Sequence, residues 1–301
     1  MRLGMVGLGR MGANMALRLQ RGGHEVTGFD PAPEARARTG SEGVATAASL
    51  EALVAALDAP RALWIMVPAG DPVDATIAAL RPLLAAGDAL VDGGNSFYRD
   101  SQRRAQALAD AGIAYLDVGT SGGVWGLAEG YSLMVGGDAG AAARLAPLFA
   151  TLAPSPDRGW GHVGPSGAGH YAKMVHNGIE YGMMQAYAEG FAILQRKHEL
   201  TPDIAQLAEI WRHGSVVRSW LLDLTAEALA HNPALDGIAP YVPDSGEGRW
   251  TVAEAIELDV AAPVITQSLI ERLRSRDGDA FADKLLSAMR NAFGGHAVKR
   301  G

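Results

Sequence analysis

Residues 1–30, MRLGMVGLGRMGANMALRLQRGGHEVTGFD, decide the fold. Leu3 to Val6 is a short apolar run that reads as a strand, and it ends in Gly7-Leu8-Gly9-Arg10-Met11-Gly12, a GxGxxG turn. An Ala/Leu-rich helical pattern follows from Met11 to Arg21, then a second β-like run from Glu25 to Phe29. Asp30 closes that run, 18 residues after Gly12. GxGxxG alone is weak evidence. With a strand before it, a helix after it and an acid at this spacing, it reads as a dinucleotide turn, in which glycines admit the backbone to a pyrophosphate and the helix N-terminus favours its charge. Gly7, Leu8, Gly9, Arg10, Met11 and Gly12 are therefore candidate cofactor contacts, with Asp30 as acceptor for the adenosine ribose hydroxyls. A carboxylate there repels a 2′-phosphate, so NAD is expected in preference to NADP. Arg36 and Arg38 follow a proline-containing loop and read as solvated side chains.

Outward from this turn, the same alternation continues. Ala62 to Val67, Ala89 to Val91, Ile113 to Val118 and Tyr131 to Val135 read as strands. Helical patterns lie between and after them, at Ala47 to Leu57, Asp71 to Leu84, Asp100 to Ala111 and Ala139 to Leu152. Strands alternating with helices predict an α/β domain, a parallel-rich doubly wound sheet of Rossmann type. A Pro/Gly-rich stretch, APSPDRGWGHVGPSGAG at 153–169, then marks a boundary, and beyond it the patterns are almost purely helical. Helices are expected at Ala168 to Lys197, Thr201 to Arg212, Val217 to Ala230, Thr251 to Glu257, Pro263 to Arg274 and Asp279 to Ala292, the second capped by Thr201-Pro202. The expected division is a nucleotide-binding domain over 1–166 and an all-α substrate-binding and oligomerisation domain over 167–301.

Composition excludes several chemistries. With 301 residues, 48% hydrophobic and 20% charged, the chain has ample material for a core. Cysteine is absent, which removes disulfides, thiolate nucleophiles and Cys-ligated zinc. A net charge of −7 without Lys/Arg-rich blocks argues against nucleic acid as partner. No apolar run approaches the ~18 residues of a membrane span, and Met1 to Gly12 does not read as a signal peptide, so a cytoplasmic location without membrane partners is expected. The 38 glycines are roughly one residue in eight, against an average of about 7%. Many stand at the ends of apolar runs rather than in linkers.

Two further features point to a reactive cleft. In GAGHYAKMVHNGIEY (167–181), Lys173, His176, Asn177 and Glu180 recur at helical spacing and form one polar stripe. A solvated Lys/Glu face is the plain reading. Met174, Val175, Ile179, Met183 and Met184 instead suggest a buried helix whose polar stripe needs a cleft. Asp92-Gly93-Gly94-Asn95-Ser96 and Asp117-Val118-Gly119-Thr120-Ser121-Gly122-Gly123 end two predicted strands, where open α/β sheets place ligands.

These segments resemble the β-hydroxyacid dehydrogenase superfamily, and within it the decarboxylating 6-phosphogluconate dehydrogenases. The resemblance rests on GLGRMGANM (7–15), DGGNS (92–96), SGG (121–123), KMVHNGIEYGMMQ (173–185), GRWT (248–251) and RNAFGGH (290–296). It implies oxidative decarboxylation of 6-phosphogluconate to ribulose 5-phosphate and carbon dioxide, a step of the pentose phosphate pathway and gluconate use. Lys173 would serve as base, Glu180 as proton donor, with His176 and Asn177 beside them. Asn95, Ser121, Gly122 and Gly123 would orient the substrate, and Val67 and Asn95 would border the cofactor. Tyr181, Arg272, Arg290 and His296 match the phosphate side. These roles require a lowered Lys173 pKa and a raised Glu180 pKa.

One departure stands out. Long members carry a phosphate-binding lysine where Ser245 aligns here, which shifts that duty to Arg272 and Arg290, or to Arg249. No metal is expected. Long members also repeat the helical half, so the resemblance implies a homo-oligomer, a tetramer in preference to a dimer, with Arg290 and His296 contributed by a second chain. Local basic residues can capture an anionic substrate despite the −7 charge. Two other readings stay open: a dehydrogenase for an unphosphorylated acid such as 3-hydroxyisobutyrate, and a catalytically silent NAD-binding regulator.

Overall fold

The computed structural model describes residues 1–294 and 297–299. It divides into two compact units, Met1–His176 and Asn177–Gly301, whose border falls inside one long helix.

In the first unit the described residues form a single eight-stranded sheet. The strands are β1 (Arg2–Val6), β2 (Glu25–Phe29), β3 (Ala45–Thr46), β4 (Ala62–Ile65), β5 (Ala89–Asp92), β6 (Ala114–Ser121), β7 (Ser132–Gly137) and β8 (Trp160–Gly164). Their order is β3-β2-β1-β4-β5-β6-β7-β8, and all neighbours run parallel except β6 with β7. The winding reverses at β1, so a crevice opens at the ends of β1 and β4, where such sheets bind ligands.

The strand sequences show why both faces are covered. Leu3 and Met5 point into one core with Trp64, Val91 and Leu116, while Val6 points into the other with Leu63, Ile65, Leu90 and Tyr115. Helices α1 (Arg10–Arg21) and α7 (Ala139–Leu152) supply Met15, Leu19, Leu145 and Phe149 to the first core. On the opposite face lie α3 (Leu50–Ala55), α4 (Asp71–Leu80) and α5 (Tyr98–Ala109), through Leu53, Ile77 and Leu108. Two further helices are α2 (Pro33–Ser41), with proline in its first turn, and the short α6 (Gly126–Glu129).

Helix α8 (Ala168–Arg196) begins in the first unit and continues into the second. The second unit is helical throughout its described elements: α9 (Ile204–Arg212), α10 (Trp220–His231), α11 (Glu247–Glu257), α12 (Pro263–Arg274) and α13 (Phe281–Gly294). Phe191 of α8 packs with Ala208 of α9 and Leu222, Ala226 and Leu229 of α10. Asp203 caps α9 by accepting from Gln206 N, not Thr201, whose hydroxyl donates to the Leu194 and Lys197 carbonyls at the end of α8. The expected fold class, a doubly wound α/β domain followed by helices, is the one observed. Among the described residues no helix is long and apolar enough to cross a membrane.

Candidate active site

The nucleotide turn is built from backbone. Gly7 adopts φ +96°, and a Cβ there would fall 2.5 Å from the Met66 carbonyl oxygen. A Cβ on Gly12 would fall 1.9 Å from Gly7 O, whereas one on Gly9 would meet nothing within 4 Å. Two glycines therefore close the turn against the end of β4, beside half-buried Val67, and the third opens onto free space. Leu8 buries its side chain in the core and Met11 packs against it, while Arg10 is exposed. Helix α1 has Gly9 at its N-cap position and so no side-chain cap, unlike α3, α7, α9 and α10, which are capped by Ser49, Asp138, Asp203 and Ser219. Its first-turn N–H groups suit a pyrophosphate.

Asp30 is half-buried at the end of β2. Its Oδ2 accepts from Leu8 N at 2.8 Å and its Oδ1 from Ala32 N at 2.9 Å. Each oxygen retains acceptor capacity, so the carboxylate is oriented and still able to take ribose hydroxyls. Arg36 and Arg38 belong to α2 and are not simply solvated. Arg36 donates to the Asp30 and Pro31 carbonyls at 2.6 and 3.2 Å, and Arg38 to the Leu8 carbonyl at 2.9 Å. These residues fit a dinucleotide.

The end of β6 and the start of α8 form the second part. Asp117 is fully buried and accepts from Gly167 N at 2.7 Å and His170 N at 2.9 Å, so it fastens the first turn of α8 to the sheet. Burial pushes its carboxyl above the ordinary aspartate range. His170 Nδ1 lies 2.7 Å from Ser101 Oγ of α5, a second fastening. The helix and sheet meet glycine to glycine: a Cβ on Gly119 would stand 2.5 Å from both Gly169 O and Lys173 Cβ. Lys173 is therefore held directly over β6, 7% exposed, with its Nζ 3.3 Å from His176 Nδ1. Asn95 is exposed beyond β5, Ser121 ends β6, and Gly122 and Gly123 follow it in the next turn.

In the second unit Asn177 and Tyr181 are buried on α8 and Glu180 is half-buried. The Arg272 guanidinium stacks 3.5 Å above the Tyr181 ring and donates to the Pro243 carbonyl at 3.0 Å. Ser245, at the departure noted above, gives its hydroxyl to Glu247, and its N–H points to Tyr181 Oη at 3.4 Å. Arg249 is engaged by Asp244 through both Nε and Nη2, at 2.9 and 3.1 Å. Arg290 is exposed on α13, and His296 lies outside the described residues. Of the apolar positions expected to mark α8 as buried, Met174 is buried and Val175 half-buried, but Ile179, Met183 and Met184 are exposed, while the polar positions Lys173 and Asn177 are buried. Sequence reasoning missed Asp117 as an anchor, His170 with Ser101, and a buried arginine, Arg104.

Comparison with known proteins identifies the family. Residues 2–162 match the model for the NAD binding domain of 6-phosphogluconate dehydrogenase, and residues 169–283 match its C-terminal domain. The chain is 47% identical to an NAD(+)-dependent, decarboxylating 6-phosphogluconate dehydrogenase of Haloferax volcanii, across 100% of this chain and 99% of that one. It is 38% identical to a decarboxylating 6-phosphogluconate dehydrogenase of Bacillus licheniformis, covering 95% of this chain and 64% of that protein. Among solved structures, Plasmodium falciparum 6-phosphogluconate dehydrogenase, described with its cofactor NADP+ and its substrate, superposes with a TM-score of 0.84 at 29% identity, over 100% of this chain and 66% of that one. With both family models matching and a full-length relative at this identity, the chain belongs to the decarboxylating 6-phosphogluconate dehydrogenase family of oxidoreductases.

Proposed function

We propose that this protein oxidatively decarboxylates 6-phosphogluconate to ribulose 5-phosphate and carbon dioxide, reducing NAD in preference to NADP. The observation that carries the reading is Lys173, buried and seated over β6 beside His176. A nicotinamide dinucleotide held at the glycine turn and Asp30 would supply the acceptor for the hydride that leaves C3. Lys173 takes the C3 hydroxyl proton as that hydride departs. It returns a proton to the new keto oxygen while the C1 carboxylate leaves as carbon dioxide and its electron pair flows toward the carbonyl. Glu180 then protonates the enediol at the carbon that bore the carboxylate, C2 of the substrate and C1 of ribulose 5-phosphate. Asn95, Ser121, Gly122, Gly123, His176 and Asn177 orient hydroxyls and carboxylate in this reading.

For the phosphate, Arg272 on Tyr181 is the favoured partner, with Arg290 and His296. Asp244 already holds Arg249, which weakens the case for that residue. Preference for NAD is supported by Asp30 and by the backbone bonds that occupy Arg36 and Arg38. A nucleotide-binding domain over 1–166 and a substrate domain over 167–301, a homo-oligomeric assembly, a cytoplasmic location and a step in the pentose phosphate pathway go with this reading.

The decisive assay measures carbon dioxide and reduced nucleotide formed from 6-phosphogluconate with NAD and with NADP. One carbon dioxide per NADH, with lower kcat/KM for NADP, is expected; no carbon dioxide would refute the reaction, and equal efficiencies the preference. Lys173→Met should lower turnover ~10²–10⁴-fold while NADH still binds. Near wild-type turnover would remove Lys173 from the mechanism.

A further inference from the structure

Arg104 is the buried cation that the reaction above does not use. It lies on α5, 2% exposed, and its guanidinium reaches two different turns at the C-terminal edge of the sheet. Nε donates to Asp74 Oδ1 at 2.8 Å in the first turn of α4, and Nη2 donates to the Gly70 carbonyl at 3.2 Å. Nη1 donates to Ser96 Oγ at 3.2 Å and lies 3.4 Å from Asp92 Oδ2. One side chain thus ties the turn leading from Val67 to Gly70 to the turn from Asp92 to Ser96.

The second turn is ordered around Asp92, which is fully buried. Its carboxylate accepts from Gly94 N at 3.1 Å, Ser96 Oγ at 2.7 Å and Tyr115 Oη at 2.8 Å. Gly93 N donates to the Ile65 carbonyl at 3.0 Å, and a Cβ on Gly94 would stand 3.3 Å from the Val67 carbonyl. The two turns therefore touch through backbone and are braced by one guanidinium. Burying an ion pair in this way adds little net stability compared with an apolar replacement. Its five donors in a fixed plane define the separation of the groups they bind.

We propose that Arg104 is a positioning residue, holding the Val67 turn and the Asn95 turn in one register. The proposal rests on the reading above for the roles of Val67 and Asn95; the brace itself does not depend on the substrate.

Hydrogen–deuterium exchange of the full-length protein tests it, together with NADH titration and steady-state kinetics. Arg104→Lys keeps a cation and loses the fork, so segments 66–71 and 92–97 should both exchange faster, on the order of tenfold. In the same variant kcat should fall ~10–100-fold through misplaced contacts. Ser96→Ala should loosen 92–97 only, because Arg104 still holds Gly70. Arg103→Ala, which removes exposed bonds to Asp74 and Asp100, should leave both segments and kcat/KM unchanged. Wild-type exchange in either segment of Arg104→Lys, or an equal rise across the whole sheet, overturns the brace. If Arg104→Lys does not fold, Ser96→Ala decides, and unchanged exchange over 92–97 overturns the proposal. A wild-type protein inactive on 6-phosphogluconate would refute the reaction instead, while exchange and NADH affinity would still report on the brace.

Discussion

Asp244 lies between two guanidiniums in the loop before α11. Its side chain is 5% exposed and accepts from Arg249, and Arg276 Nη2 donates to it at 2.6 Å. The hydrogen bond from Arg249 is the main reason its carboxyl stays below the ordinary aspartate range, with the Arg276 bond and both positive charges adding to it and burial opposing. In the unfolded chain the group titrates near ~3.9. Because the folded value is the lower one, the stabilisation is complete above the unfolded pKa and disappears as pH falls through the folded one. Asp244→Asn should therefore lower Tm by a few degrees at pH 7, since each kcal/mol is worth ~2–4 °C in a domain of this size. The gap should close when scanning calorimetry is repeated at progressively lower pH from about 4 downward. A gap as large in strong acid as at neutrality would show that charge pairing is not what Asp244 contributes.

Helix α8 acts as the element that sets the depth of Lys173. Asp117 and Ser101 fasten its first turn, and Gly119 and Gly169 let its backbone approach β6. A methyl group on Gly119 would collide with the Gly169 carbonyl, which is backbone and cannot rotate away. Gly119→Ala should push α8 outward and lower kcat about 100-fold, the scale expected for a displacement near 1 Å, while NADH affinity stays within about twofold. Kinetics beside an NADH titration checks this, and a kcat within threefold of wild type would exclude the seat. Local spacing made the GxGxxG turn, Asp30 and most strands legible, because each depends on neighbours in the chain. Partners far apart did not announce themselves: Arg104 and Asp74 are 30 residues apart, Gly167 and Asp117 are 50, and His170 and Ser101 are 69. Helix α2 has no counterpart among the expected helices, because the prolines before Arg36 look like a loop, although proline suits a first helical turn. Strand β8 carries little sequence signal, because Trp160–Gly164 contains two glycines and lies at the sheet edge.

At the scale of the molecule, apolar surface is distributed unevenly. The sheet buries its aliphatic side chains on both faces, whereas the helical unit leaves many exposed. On α13, Phe281, Leu285 and Met289 recur every four residues, share one face and are 67%, 47% and 50% exposed. Ile256 of α11 and Val264 of α12 are 73% and 67% exposed. Fully covering a side chain of this kind is worth ~1.5–3 kcal/mol, so leaving a row of them in water is costly. A second copy of the chain is the occupant we expect, since the proposed phosphate contacts Arg290 and His296 belong to the same C-terminal stretch. Sedimentation at assay concentrations should give a multiple of 31.4 kDa, four in preference to two. Introducing L285E and M289E together should shift the protein toward monomer and raise KM for 6-phosphogluconate by ~10-fold or more, the loss expected when charge-assisted contacts to the phosphate are removed. NADH affinity should remain near wild type, because the nucleotide turn lies in the first unit. A wild-type monomer with full activity would overturn the assembly and leave the chemistry of Lys173 to stand by itself.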